Sequence, residues 1–311
     1  MSVSSAKPAR AWGVFENPYV LLALASLFWS GNHIIGRSVA GIVPPLAMAT
    51  LRWLIGALVL WPIARHQIAR DWPAIRDHWR ILVFLSLVGG ALFGALQYIG
   101  LQLTGALNAS VLNSVAPVMI AAVAALMFRD RLSWVQALGI ATSMAGVLAI
   151  VTRLDLDALT ALRFNAGDLV IMVNMGVFAV YAVYFRRAPP IHPLSFLFVL
   201  SAVSALGTLP FFVWEQLSGL RLQPTLTTVL AVGYVAIFPS LLAFLFWNRG
   251  VAMTNANRAG VFLHLVPLYS AVLATMLLGE HLMPYHVLGF ALILLGVRLA
   301  ARGATQAVEA G

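Results

Sequence analysis

Ten stretches of about twenty residues, each almost wholly apolar, follow one another along the chain. They fall at 18–36, 45–63, 81–103, 109–128, 134–152, 167–185, 193–214, 226–248, 259–278 and 285–301. A helix of that length crosses the hydrocarbon core of a bilayer, about 30 Å thick. Backbone surrounded by lipid must satisfy its own hydrogen bonds, which leaves helices or a closed barrel. Barrel strands would read as alternating segments of about ten residues. These runs are about twice as long and continuously apolar. Only 9% of the residues are charged, against about 25% in soluble domains, too few to cover a surface facing water. The expected fold class is therefore all-α: a polytopic membrane protein with ten transmembrane helices.

The formal net charge of +9 is explained by topology rather than by nucleic acid. With the N-terminus inside, the inner segments hold Lys7, Arg10, Arg65, Arg70, Arg76, Arg80, Arg129, Arg131, Arg186, Arg187, Arg249, Arg258, Arg298 and Arg302. The outer segments hold Arg37, Arg153, Arg163 and Arg221. This bias places both termini in the cytoplasm and the chain in the inner (plasma) membrane. The N-terminal 1–17 is read as a cytoplasmic tail leading into a retained first span, not as a removed signal. The connection "HQIARDWPAIRDHWR", 66–80, is expected as a short interfacial piece between spans two and three.

The two halves of the chain align at an offset of 150. Gly100, Thr104, Ala106, Ala109, Val111, Pro117, Ala121, Ala124, Leu132, Leu138, Gly139, Ala141, Gly146 and Val147 each find the same residue type 150 positions later. Among the partners are Gly250, Thr254, Pro267, Gly289 and Gly296. Asp130 and Glu280 form a conservative pair at the same offset. Five spans are thus followed by five similar spans. Because five is odd, the second set enters the membrane from the opposite side. The expectation is two inverted five-helix repeats, 18–152 and 167–301, joined by a linker at 153–166 and followed by a cytoplasmic tail at 302–311. Such repeats are typical of transporters, with substrate held near the midplane between them.

Several stretches resemble a known family. "LFWSGNHIIGR" (27–37) is similar to its W-[GS]-x-N first span, and "MATLRWLIGALVL" (48–60) to its arginine-bearing second span. The paired "APVMIAAVAALMFRDRLSWVQALGIATSMAGV" and "VPLYSAVLATMLLGEHLMPYHVLGFALILLGV" resemble its end-of-repeat signature. That family is the EamA type of the drug/metabolite transporter superfamily, and within it the chain resembles the YddG-like amino-acid exporters. The resemblance covers nearly the whole chain and implies export of small metabolites.

Candidate substrate-binding residues are polar and aromatic side chains inside the spans. His33 and His264 are the histidines that fall well inside, and Trp29 shares a helix face with His33. Tyr98 and Gln102 share a face with Gly94 on span three; Asn174, Phe178 and Tyr181 share one on span six; Ser240, Phe244 and Trp247 share one on span eight. Each stripe pairs ring faces with hydrogen-bonding groups, as a zwitterionic or aromatic metabolite requires. Structural packing accounts for any one stripe equally well. Asn32 is expected to bond a neighbouring helix, since adjacent helical residues diverge by about 100°. Arg52 is expected to snorkel to the outer interface or cap a neighbour. Pro117 and Pro267 should kink their helices in equivalent places, as a hinge pair. The glycine pairs Gly139/Gly146 and Gly289/Gly296 should let helices approach closely, inside the protein or at a dimer contact.

No Asp or Glu is expected within a span, since Asp168 and Glu280 sit at span ends. Proton coupling commonly uses a carboxylate at depth, so facilitated export is favoured. No P-loop, zinc-ligand spacing or nucleophile elbow is found. Cysteine is absent. No catalytic residue, metal or cofactor is expected, and the partners are a small-molecule substrate and the lipid bilayer, with no nucleic acid and with monomer or homodimer left open. The expected function is export of neutral or aromatic amino acids by alternating access. The alternatives are a drug or nucleotide-sugar carrier of the same fold, or a membrane-embedded lipid-modifying enzyme.

Overall fold

The computed structural model describes residues 17–128, 134–155, 165–253 and 262–309. The N-terminal tail, most of the 153–166 linker, Arg129, Asp130, Arg131, Leu132, Thr254 and Arg258 lie outside the described residues, as does the side chain of Pro117.

The described residues are helical, with no strand among them. In chain order the helices are α1 (Pro18–Ser38), α2 (Pro45–Asp77), α3 (Trp79–Leu103), α4 (Ala106–Asn113), α5 (Ala116–Phe128), α6 (Trp134–Val151), α7 (Ala166–Phe185), α8 (Pro193–Leu217), α9 (Leu226–Met253), α10 (Leu265–Leu278) and α11 (Pro284–Glu309). Local chemistry sets many of the starts. Proline opens α1, α2 and α8, where its missing N–H would be unpaired anyway. Asn17 caps α1 through Tyr19 N, Asn165 caps α7 through Gly167 N, and Thr225 caps α9 through Thr228 N. Gly279, at φ 66°, ends α10 in the left-handed region that suits glycine.

Six helices are long and apolar enough to cross a bilayer: α1, α2, α3, α7, α8 and the Leu226–Gly250 part of α9. The α4/α5 pair, bent by 47° at its break, is apolar enough to count as a seventh if the two helices form one span. The helices in α6, α10 and α11 are apolar but shorter. The connection at 66–80 is not a separate interfacial piece. Its residues to Asp77 continue α2 without a break, leaving Trp72 and Trp79 exposed beside the next helix start. Regular helix satisfies most of the backbone there, although Pro73 lacks the N–H that would reach the Ala69 carbonyl.

Helices pack in pairs: α6 lies antiparallel on α11, α2 on α8, α3 on α7 and α1 on α9, while α1 runs parallel to α10, where Ser26 donates to Phe262 O and Ser30 to Val266 O. Glycine permits the closest approach. A Cβ on Gly146 would stand 2.6 Å from the Gly289 carbonyl oxygen, and one on Gly296 would stand 2.5 Å from that of Gly139. The expected glycine pairs are therefore consumed inside the chain, between α6 and α11.

Candidate functional site

Two helices change their winding in the interior. In α3, Leu87–Leu92 forms a π segment, and in α9, Phe238–Leu242 forms another. They stand about 150 residues apart, in equivalent places of the sequence repeat. Such segments leave carbonyls poorly paired and recur at functional sites. Adjacent residues of α2 hold both. Trp53 donates its indole N–H to Gly90 O at 3.1 Å in the first segment, and Arg52 Nε donates to Ser240 Oγ at 2.9 Å in the second.

From Arg52 a hydrogen-bonded chain crosses the bundle. Its Nη1 donates to Tyr98 OH at 3.0 Å, and Tyr98 OH donates to Asn32 Oδ1 at 2.7 Å. The guanidinium lies 4.5 Å from the ring centroid of Trp53 and 5.6 Å from that of Tyr98. Arg52 is only 4% exposed, so it does not snorkel to the interface. Two hydroxyls and two ring faces hold it about two helical turns inside α2 instead.

His33 turns the other way from Asn32. Its Nδ1 lies 2.9 Å from Trp29 O, which can only accept, so that nitrogen carries the proton. Nε2 then accepts from Asn113 Nδ2 at 2.8 Å. Both ring nitrogens are engaged and the imidazole is neutral. Asn113 ends α4 at the break before α5. A matching break, a turn at 263–264, precedes α10 and Pro267. Each proline lacks the N–H that would continue the ladder to the residue four before it. Polar atoms collect unpaired at these breaks. Asn113 Oδ1, Ser114 Oγ and His264 Nδ1 are enclosed and have no hydrogen-bond partner. α4 and α10 pack on each other and both pack on α1, so the breaks share one neighbour.

Ring side chains gather on the faces of α1, α7 and α9. Trp29 meets Phe244 edge-on at 5.9 Å and Trp247 at 5.4 Å. Tyr181 sits against Gly89 of the α3 π segment, its ring tilted by 39° to that of Phe178 at 6.0 Å. The other expected residues are placed differently. Asn174 donates to Gln97 Oε1 at 3.1 Å between α7 and α3, leaving Asn174 Oδ1 and Gln97 Nε2 unpaired. Gln102 leaves the face it shares with Tyr98. It clamps the α1–α2 turn, accepting from Gly41 N and donating to Val43 O. It lines a surface depression of about 460 Å³ with Pro44 and Arg221, away from the interior group.

Asp168 lies at the start of its helix, as its place at a span end implies, and two acids at helix ends are buried. Glu215, one residue past the expected end of its span, is enclosed near the end of α8 and accepts from Leu46 N and Ala47 N at the start of α2. Asp168, in the first turn of α7, is fully buried and accepts from Thr104 Oγ1 and Asn108 Nδ2. Asn108 Oδ1 in turn accepts from His286 Nε2 at 2.6 Å. Asn108 is thereby buried. Glu280 caps α4 through Ala106 N and Leu107 N. A carboxylate suits a helix N-terminus because four backbone N–H groups and the helix dipole converge there. No signal in the sequence marked Glu215: its two N–H partners lie about 170 residues away along the chain. All these acids sit at the end of the bundle where α3 stops and α2, α4 and α7 start. Among the described residues none reaches Arg52.

Comparison with known proteins agrees with this architecture. The profile of the EamA-like transporter family matches the chain twice, over residues 17–152 and 165–302. An uncharacterized transporter of Bacillus subtilis, YyaM, is 25% identical over 92% of this chain and 93% of its own length. A probable terminal-alkyne amino-acid exporter of Streptantibioticus cattleyicolor is 28% identical over 86% of this chain and 85% of its own. A protein of known crystal structure superposes with a TM-score of 0.61 at 21% identity, covering 93% of this chain and 98% of that one, a likeness of fold. Apolar spanning helices, two matched halves and relatives named as transporters converge: the chain belongs to the EamA-like transporter family, a multi-pass membrane branch of the drug/metabolite transporter superfamily.

Proposed function

We propose that this transporter exports neutral or aromatic amino acids across the inner membrane by alternating access, downhill. The observation that carries the reading is the set of enclosed, unpartnered polar atoms at the two helix breaks, Asn113 Oδ1, Ser114 Oγ and His264 Nδ1. Buried polar groups without partners are costly, and a ligand or water that bonds them removes the cost. Trp29, one turn before His33 on α1, meets Phe244 and Trp247, and these rings offer faces for a side chain. The amino-acid exporter among the relatives points the same way.

Ten spans in two inverted repeats are part of the proposal, with both termini cytoplasmic. Three pairings support it. The contact Gly146–Gly289 becomes Gly296–Gly139 when each number is shifted by 150. Gly100 packs on Ile171 and Gly167, and its counterpart Gly250 packs on Leu22 and Pro18. The two π segments and the two breaks recur at the same offset. Paired weak points of this kind give each half its own hinge. The capped end, tied by Asp168, Asn108, His286 and Glu280, is the outer gate in its closed state. Facilitation is favoured because the buried acids serve at that end and none stands at the centre.

The test is flux in proteoliposomes holding the purified protein, with a panel of neutral and aromatic amino acids and with or without a pH gradient. Downhill flux that is indifferent to the gradient is expected. Absence of flux for every amino acid rejects the substrate class. Accumulation driven by the gradient rejects facilitation.

A further inference from the structure

Arg52 is a buried cation without a counter-ion. Among the described residues no carboxylate lies within ion-pair distance of it; its bonds go to Ser240 and Tyr98. The two buried acids and the half-buried Glu280 are otherwise engaged: Glu215 and Glu280 on helix N-termini, Asp168 on Thr104 and Asn108. A lone charge taken out of water is expensive, and proteins pair it or face it to a cavity. Ring faces of Trp53 and Tyr98 offset only part of that cost.

The guanidinium also has donors to spare. Of its five N–H groups, one on Nε and one on Nη1 are used. Among the described residues Nη2 has no hydrogen-bond partner. Its unused N–H donors suit a carboxylate, whose oxygens only accept. Its position is fixed by the π segment of α9 through Ser240 and by α3 through Tyr98, so an anion bound there senses both helices.

We propose that Arg52 binds the carboxylate of the transported amino acid. Tyr98, itself bonded to Asn32, and Ser240 hold the guanidinium in place. The inference rests on the amino-acid reading above and names the group that reads the carboxylate.

Counterflow with the full-length protein in liposomes tests it, using leucine, phenylalanine and tryptophan against their primary amides, which differ by the carboxylate alone. In the wild type each acid should compete at least about 10-fold better than its amide, the worth of a charged hydrogen-bond pair. Arg52→Gln should raise KM for the acid about 10- to 100-fold and bring acid and amide within about 2-fold of each other. Arg52→Lys should recover part of the preference, since it keeps the charge but loses the fork. The wild-type comparison needs no variant, so a misfolded Arg52→Gln protein does not spare the proposal. Amides that compete as well as acids overturn it while leaving amino-acid transport intact. Acids and amides that both fail to move overturn the amino-acid reading, and this inference with it. Amide flux that equals acid flux only when chloride is present identifies an inorganic anion at Arg52 and also overturns it.

Discussion

Trp53 donates its indole N–H to the carbonyl of Gly90 at 3.1 Å, which ties α2 to the π segment of α3. Because a π segment leaves carbonyls without a ladder partner, this bond has no ready substitute. Trp53→Phe keeps the ring and removes the donor, so it should cost about 1–3 kcal/mol. A lower midpoint of thermal unfolding in detergent is the expected result; an unchanged midpoint would mean that Gly90 O finds another donor.

The α6–α11 contact offers a steric prediction with an internal control. A Cβ on Gly146 would meet the Gly289 carbonyl at 2.6 Å, backbone that cannot rotate away. Gly146→Val should therefore abolish folding or separate the two helices, at a cost above about 3 kcal/mol. Gly233 in α9 has nothing within 4 Å of its would-be Cβ. Gly233→Ala should be neutral or add up to about 1 kcal/mol through helix propensity. Yield of monodisperse protein on a sizing column distinguishes them.

Asn108 joins Asp168 to His286, and so joins the two halves of the chain at the capped end. Asn108→Ala should loosen that end. The sequence has no cysteine, so a single reporter can be read without background. A cysteine at Ala106, fully enclosed in the structure, should react with a water-soluble maleimide several-fold faster in the Asn108→Ala background. Equal labelling in both backgrounds would show that Asn108 is not part of the closure.

Pro267 prevents the ladder from reaching Leu263, whose carbonyl accepts instead from Val266 N at 3.1 Å. Pro267→Ala restores the donor. The expected outcome is a straighter α10, unchanged or higher thermal stability, and flux reduced about 10-fold because the hinge stiffens. Flux equal to that of the wild type would remove the break from the transport cycle.

Glu280 accepts from two backbone N–H groups at the start of α4. Glu280→Ala leaves both unpaired in a half-buried setting and should cost about 1–2 kcal/mol. Glu280→Gln keeps one acceptor oxygen and should recover part of the loss in the same melting measurement.

The sequence by itself determined what depends on the chain's local chemistry. Apolar runs of membrane length place the helices, prolines and Asn or Thr caps place many of their starts, and the 150-residue offset pairs the two helix breaks. These features act over one or a few turns, so they are legible residue by residue. Tertiary structure alone decided which side chains meet. Gln102 and Tyr98 share a helix face, yet Gln102 clamps a turn while Tyr98 bonds Arg52. Asn32 and His33 are neighbours, yet one joins the arginine chain and the other Asn113. Glu215 reads as a loop acid and is a buried cap for a helix far away in sequence. Arg52 reads as a snorkelling arginine, but Ser240, 188 residues later, holds it inside. The physical reason is that a hydrogen bond in the interior is chosen by distance in space among several helices, and periodicity fixes only the direction in which a side chain leaves its own.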